Sequence, residues 1–197
     1  QNSLKIYLSI SGYGTSHVFK STNNGETFSD IAANLPDIPV NALAVHPEND
    51  EIVFAATDIG IFYTPDGGSQ WLKFGKGLPN VPVTDLVFHT NRTLMPSIML
   101  RCATHGRSIW EAEVPDNIVP EPQILSPAGG EFFTKGNVYR VSYYGFSLPV
   151  SVRLTTDNGL NWKTISESNN STVFDWKVDE LPTDFGRIEV SSLSNPQ

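Results

Sequence analysis

The chain has 197 residues and a formal net charge of −8, with 13 Lys and Arg set against 21 Asp and Glu. This acidic balance argues against a nucleic-acid partner, which needs a basic face, and against binding to an anionic membrane surface. No apolar run approaches the roughly 20 residues that span a bilayer, and the lone Cys102 leaves neither an internal disulfide nor a CxxC metal or redox motif.

No signal-peptide pattern stands at Gln1, so the sequence reads as a mature start or as a piece of something longer. Short strands are predicted first over Lys5–Ile10, His17–Lys20 and Thr27–Ile31. The turn Ser21-Thr22-Asn23-Asn24-Gly25-Glu26-Thr27-Phe28 joins the last two. A set of four follows, Val40–Val45, Ile52–Thr57, Gly60–Tyr63 and Gln70–Phe74, with a second such turn, Thr64-Pro65-Asp66-Gly67-Gly68-Ser69-Gln70-Trp71, before the fourth. In the first of these, Leu43 and Val45 face one layer and Ala42 and Ala44 the other. Thr84–Phe88, Ile98–Thr104 and Arg107–Val114 close this half, with Cys102 read as a buried, inert thiol. The two turns recur about 43 residues apart, as do two A/V-rich strands ending in His46 and His89, within the period of about 40–50 residues of four-stranded propeller blades. No segment carries the spacing and caps of a helix.

Residues 1–115 are therefore expected to form one domain and 116–122, rich in proline, a stiff linker. Residues 123–197 form a second all-β domain, with alternation at Tyr139, Val141 and Tyr143, at Val150, Val152 and Leu154, at Phe174, Trp176 and Val178, and at Ile188 and Val190. Turn signals about every 8–12 residues predict a β-sandwich. A third copy of the turn, Thr155-Thr156-Asp157-Asn158-Gly159-Leu160-Asn161-Trp162, is expected as a hairpin within it.

The three turns share hydroxyl, Asp or Asn two residues on, Gly two further, and an aromatic three after that. A hydroxyl and an acid or amide so spaced can each accept a backbone N–H of a tight turn, and Gly supplies positive φ. The ring then starts the next strand and anchors it in a hydrophobic layer. This pattern resembles the Asp-box, or bacterial neuraminidase repeat, of sialidases, xyloglucanase-like glycoside hydrolases, sortilin-type receptors and photosystem assembly factors. The resemblance implies that Ser21, Asn23, Gly25, Phe28, Thr64, Asp66, Gly68, Trp71, Thr155, Asp157, Gly159 and Trp162 are structural and lie away from any active centre. It also implies an all-β chain made of a partial propeller, about two and a half four-stranded blades, where closed rings have about 4–8. The second half resembles the immunoglobulin- or fibronectin-like modules of secreted bacterial hydrolases, without the immunoglobulin Cys pair.

Two accounts fit the incomplete ring. The chain is the C-terminal part of a longer propeller, or its open blade edges pair with another chain. The first is favoured because open apolar edges invite aggregation. By resemblance the parent is secreted or at the bacterial cell surface, with polysaccharide as a possible partner. A receptor-like or assembly module without sugar chemistry is the competing class.

Candidate sugar-contacting residues follow. Thr104-His105-Gly106-Arg107-Ser108-Ile109-Trp110 resembles a segment that ends xyloglucanase-like propellers. In it His105, Arg107 and Trp110 either line a sugar site, by forked hydrogen bonds and ring stacking, or form a Gly-Arg turn with Trp110 filling space between blades. Asp58 and Asp85 could reach a propeller mouth, but nothing in their spacing marks a hydrolytic pair. Tyr144 and Phe146 around Gly145 suggest a stacking loop, with Tyr143 and Trp162 as lesser candidates; core packing is the expectation for Trp162 and Trp176. His46 and His89 are read as turn residues. Neither a metal site nor a cofactor motif is present in the sequence. The triplets Asn91-Arg92-Thr93 and Asn170-Ser171-Thr172 match glycosylation acceptors, meaningful only in a eukaryotic secretory setting.

Overall fold

Short β-branched and aromatic runs, each cut off by Gly, Asn or Pro, leave no stretch long enough for a helix. Every regular element among the described residues is accordingly a strand. The computed structural model describes residues 4–91, 97–115, 118 and 122–194 and divides the chain into two units, 1–119 and 120–197. The expected linker at 116–122 and the triplet Asn91-Arg92-Thr93 fall largely outside the described residues.

The first unit holds three antiparallel sheets in chain order. β1 (Ile6–Ser9), β2 (Val18–Ser21) and β3 (Ser29–Asp30) form the first. β4 (Val40–Val45), β5 (Val53–Thr57), β6 (Gly60–Thr64) and β7 (Leu72–Phe74) form the second. β8 (Val83–Asn91), β9 (Ser97–Thr104) and β10 (Ile109–Val114) form the third. Most strand ends move by about one or two residues from their predicted places, as end fraying allows, but β8 runs three residues past its predicted end and takes in His89, expected as a turn residue.

Coverage differs between these sheets. Every residue of β5 and β6 is buried, whereas β1 alternates exposed and half-buried positions and β10 is exposed over most of its length. One face of the middle sheet packs Val53, Ala55 and Phe62 against Val18 of the first, with Leu43 and Val45 at the margin. The other stacks Phe54 on Tyr63 at 5.6 Å and sets Phe54 edge-on to Phe74 and to Phe88 of β8, at 5.0 and 5.5 Å. Each such aromatic pair adds about 0.5–1.5 kcal/mol beyond its area. The apolar runs of β5 and β6 are thus those of strands covered twice. Cys102 is buried, and burial pushes its thiol pKa up.

In the second unit β11 (Gln123–Ser126), β12 (Val138–Tyr144) and β15 (Val173–Lys177) form one antiparallel sheet. β14 (Lys163–Asn169), β13 (Val150–Thr155) and β16 (Arg187–Ser192) form another, with β13 central. One core cluster draws Val141, Tyr143 and Trp176 from the first sheet and Val150, Val152, Leu154 and Val190 from the second. Trp176 is core, as expected. Trp162 is not: it is half-buried and lies under the Arg153 guanidinium at 5.5 Å.

The three turns share one hydrogen-bond scheme. The hydroxyl ends a strand and is buried, as Ser21, Thr64 or Thr155. It accepts the amide of the glycine four residues on, at 2.9, 2.8 and 3.0 Å, and donates to the acid or amide two residues on, at 2.9, 2.8 and 2.7 Å. That second oxygen accepts amides further on, from Thr27, from Ser69 and Gln70, and from Asn161. The residue before each glycine is also left-handed, Asn24 at φ 59°, Gly67 at 74° and Asn158 at 61°, and Asn and Gly are the types that tolerate this. The aromatic ring departs from expectation in two copies. Trp71 is fully buried, but Phe28 is 43 % exposed and Trp162 half-exposed. The difference is a neighbour: the Trp71 indole donates to Ile31 O at 2.8 Å, and Asn34 brackets the Trp71 backbone with bonds of 2.7 and 2.8 Å.

Candidate functional site

The first unit gathers polar side chains at one end, where the β1–β2 turn, the starts of β4 and β8, and the β5–β6 turn meet. Asn41, second residue of β4, organises it. Its amide donates to Asp58 Oδ1 at 2.9 Å and to Val83 O at 3.0 Å, and its Oδ1 accepts from Ser11 at 2.7 Å. One side chain therefore ties all three sheets together. The Tyr13 hydroxyl reaches Asp58 Oδ2 at 3.3 Å. Tyr13 itself is 68 % exposed, an aromatic face standing in water beside a carboxylate. Desolvation first, and then the Asp58 charge, raises its phenol pKa.

Alongside, buried His17 donates from Nε2 to Asp37 Oδ1 at 3.0 Å, and the Gly14 amide donates to the same oxygen at 2.7 Å. These bonds hold the β1–β2 turn in place, so Tyr13 is presented on a fixed loop. The β9–β10 turn is positioned by the His105 amide donating to Pro82 O at 2.8 Å and by Thr104 Oγ1 donating to Ser108 O at 2.6 Å. His105, Arg107 and Trp110 are exposed, and the Trp110 indole donates to Arg107 O at 2.8 Å. Asp85 has different company from Asp58. Its Oδ1 accepts the Leu86 amide at 2.9 Å, and it lies across from Ala103, itself paired with Ile109.

The second-unit candidates are more tightly packed than a stacking platform would be. Tyr143 is core, donating to Ser171 O at 2.7 Å and accepting from Asn169 at 2.8 Å. Phe146 packs on the core cluster, 5.9 Å from the Tyr143 ring, and Tyr144 is half-buried. Sequence reasoning passed over Ser11, Tyr13, His17, Asp37 and Asn41. The legible signal was Asn41, a polar residue in an otherwise apolar strand, and the loop glycines around Tyr13.

At the opposite end of the first unit lie the two turns and an ion cluster. Lys5 pairs with Asp50 at 2.8 Å and with Glu51, and Lys20 reaches Glu51 at 2.7 Å. Lys20 first, then Lys5, lowers the Glu51 carboxyl pKa. His46 is buried edge-on to Phe88 at 5.5 Å, and His89 is exposed. No group of three His, Cys, Asp or Glu that could hold a metal occurs among the described residues. What the Asn41 end offers is hydrogen bonding to hydroxyls next to an exposed ring. Comparison with protein-family models, curated proteins and solved structures gives no match for this chain.

Proposed function

We propose that the chain is a C-terminal, Asp-box portion of a secreted or cell-surface bacterial protein of the glycoside-hydrolase-like kind. In this reading its three sheets are propeller blades and its second unit an immunoglobulin-like sandwich. It acts as a scaffold that contacts polysaccharide rather than as a complete catalytic site. The observation that carries the sugar contact is the exposed Tyr13 ring beside Asp58 and Asn41, at the end opposite the turns. An aromatic face takes the C–H side of a sugar ring, and the remaining lone pairs of the Asp58 carboxylate, which Asn41 holds in place, accept its hydroxyls. The repeated hydrogen-bond scheme of the turns supports the repeat class.

Titrating xyloglucan-type oligosaccharides into the protein in a calorimeter tests this. Heat of binding is expected, with Tyr13→Ala weakening it at least about tenfold, the equivalent of about 1.4 kcal/mol. The absence of heat with a panel of polysaccharide fragments would remove the sugar reading. A second reading, a protein-interaction module, rests on another observation: Ile6, Leu8, Val87 and Ile109 are exposed on the outer sheets of the first unit. In that reading these surfaces take further sheets of the same repeat, from a longer parent or from a partner chain.

A further inference from the structure

The second unit contains a cavity of about 640 Å³ between the segments 127–133 and 180–187. Its size is that of a small-molecule site, roughly 300–1,000 Å³. The floor is core side chain, from Leu154, Trp176 and Ile188. Phe133 stands edge-on to Trp176 at 5.4 Å, and the Trp176 indole N–H has no acceptor among the described residues. At the rim Phe132 is 95 % exposed and Leu181 is 77 % exposed, two apolar side chains turned toward water.

Both walls are held in place. Glu131 accepts the amides of Ala128 and of Gly129, the latter at 2.7 Å, and Tyr139 Oη accepts the Thr134 amide at 2.9 Å. On the other side Thr183 Oγ1 donates to Thr156 O at 2.7 Å and accepts the Phe185 amide at 3.0 Å. Loops so anchored form a site before any ligand arrives.

Charge narrows the ligand. The unit's ion pairs among the described residues are Arg140–Asp175, Arg153–Glu189 and Lys163–Glu180. Of the charged groups lining the cavity, Glu180 is paired with Lys163 and Glu131 is held by backbone amides against the 127–131 turn, while Lys135, Arg187 and Asp184 have no ion pair among the described residues. A guanidinium and an ammonium with no ion-pair partner among the described residues, beside an aromatic floor, suit an anion with an apolar body. A guanidinium fork matches a carboxylate.

We propose that this cavity binds a small carboxylated ring compound, its ring on Phe132, Phe133 and Trp176 and its carboxylate on Arg187 and Lys135. A sugar acid and an aromatic acid share that chemistry. Asp184 separates them, because it can accept a sugar hydroxyl but only repels the carboxylate of an aromatic acid. The proposal is independent of the Tyr13 end and stands or falls on its own residues.

The test is titration of the whole chain with glucuronate, benzoate and neutral glucose, read by the Trp176 indole N–H resonance. Glucuronate or benzoate is expected to shift that resonance, and glucose to leave it in place. Arg187→Gln and Lys135→Gln, both at exposed positions, are each expected to weaken binding roughly tenfold, and Phe132→Ala by a similar factor. With Asp184→Asn, weaker glucuronate binding identifies a sugar acid, and stronger benzoate binding an aromatic acid. Either supports the site. A resonance unmoved by both acids overturns the proposal. So does glucose binding as tightly as glucuronate, or unchanged affinity in both cation variants.

Discussion

Thr64 Oγ1 is fully buried and serves three partners: it accepts the amides of Gly68 and Asp66, at 2.8 and 3.4 Å, and donates to Asp66 at 2.8 Å. Replacing it by Val keeps the shape and strands those groups, at a cost of about 1–3 kcal/mol in urea unfolding. Thr64→Ser keeps the hydroxyl, as Ser21 does in the first copy, and is expected to lose only about 1 kcal/mol for the missing methyl. The glycines are expected to rank by their neighbours. At Gly68, with φ of +107°, an added Cβ would lie 2.5 Å from the Ile31 Cβ, whereas at Gly25, with φ of +89°, it meets only the Ile6 side-chain tip at 3.4 Å. Gly25→Ala is expected to cost about 1 kcal/mol for its backbone conformation. Gly68→Ala adds an overpacking penalty of about 1–3 kcal/mol. Equal losses for the two would show that the second turn does not abut its neighbouring sheet as tightly as the geometry implies.

At the scale of the hairpin, the third turn joins β13 to β14 through Asp157, whose carboxyl pKa is drawn down to about 2 by the Asn161 amide first and then by Thr155 and the Asn161 side chain. An unfolded chain gives Asp a value of about 3.9. The folded value is the lower one, so the stability Asp157 lends is fully present above about pH 4 and is lost as pH falls toward 2. The first turn carries Asn23 at this place, bonded through its amide to Thr27 Oγ1 at 2.9 Å. Asp157→Asn keeps an acceptor oxygen but loses the charge, so it is expected to lower the pH 7 thermal midpoint toward its acid value and to flatten the decline between pH 5 and about 2. Thermal scans across that range check it; an undiminished decline would assign the acid sensitivity to other carboxylates. This hairpin also marks how far sequence reasoning reaches. The turn was legible because its residue types are dictated by its own backbone bonds. β14 was not, since Lys163–Asn169 is a polar edge strand with an irregular register against β13 and no apolar alternation. The Asn41 cluster was legible only as one odd residue, because its partners come from loops more than a strand away and no local period relates them. Trp71, Phe28 and Trp162 make the same point: the motif dictates the ring, while burial depends on what packs over it.

Across the first unit, burial follows how many neighbours a sheet has. β5 and β6 lie between two others and hide every side chain, and repeat-equivalent positions in β10 stand in water. Ile61 of β6 is 4 % exposed and Ile109 of β10 is 75 % exposed. Val87, Arg101 and Glu111 share a row across the third sheet, and the Arg101–Glu111 ion pair is the polar element in it. A face of this kind, partly apolar and beside a strand with no partner on its outer side among the described residues, suits a further sheet better than bulk water. Copies of the chain are accordingly expected to associate as concentration rises, with sedimentation velocity showing species above the monomer. Ile109→Lys and Val87→Lys place a charge where the neighbouring sheet would pack and are expected to return the protein to monomer without loss of its strand signal in circular dichroism. A wild-type protein that stays monomeric at every concentration would mean that water satisfies this face, which would leave the protein-interaction reading without its supporting observation while the sugar contact at Tyr13 stood untouched.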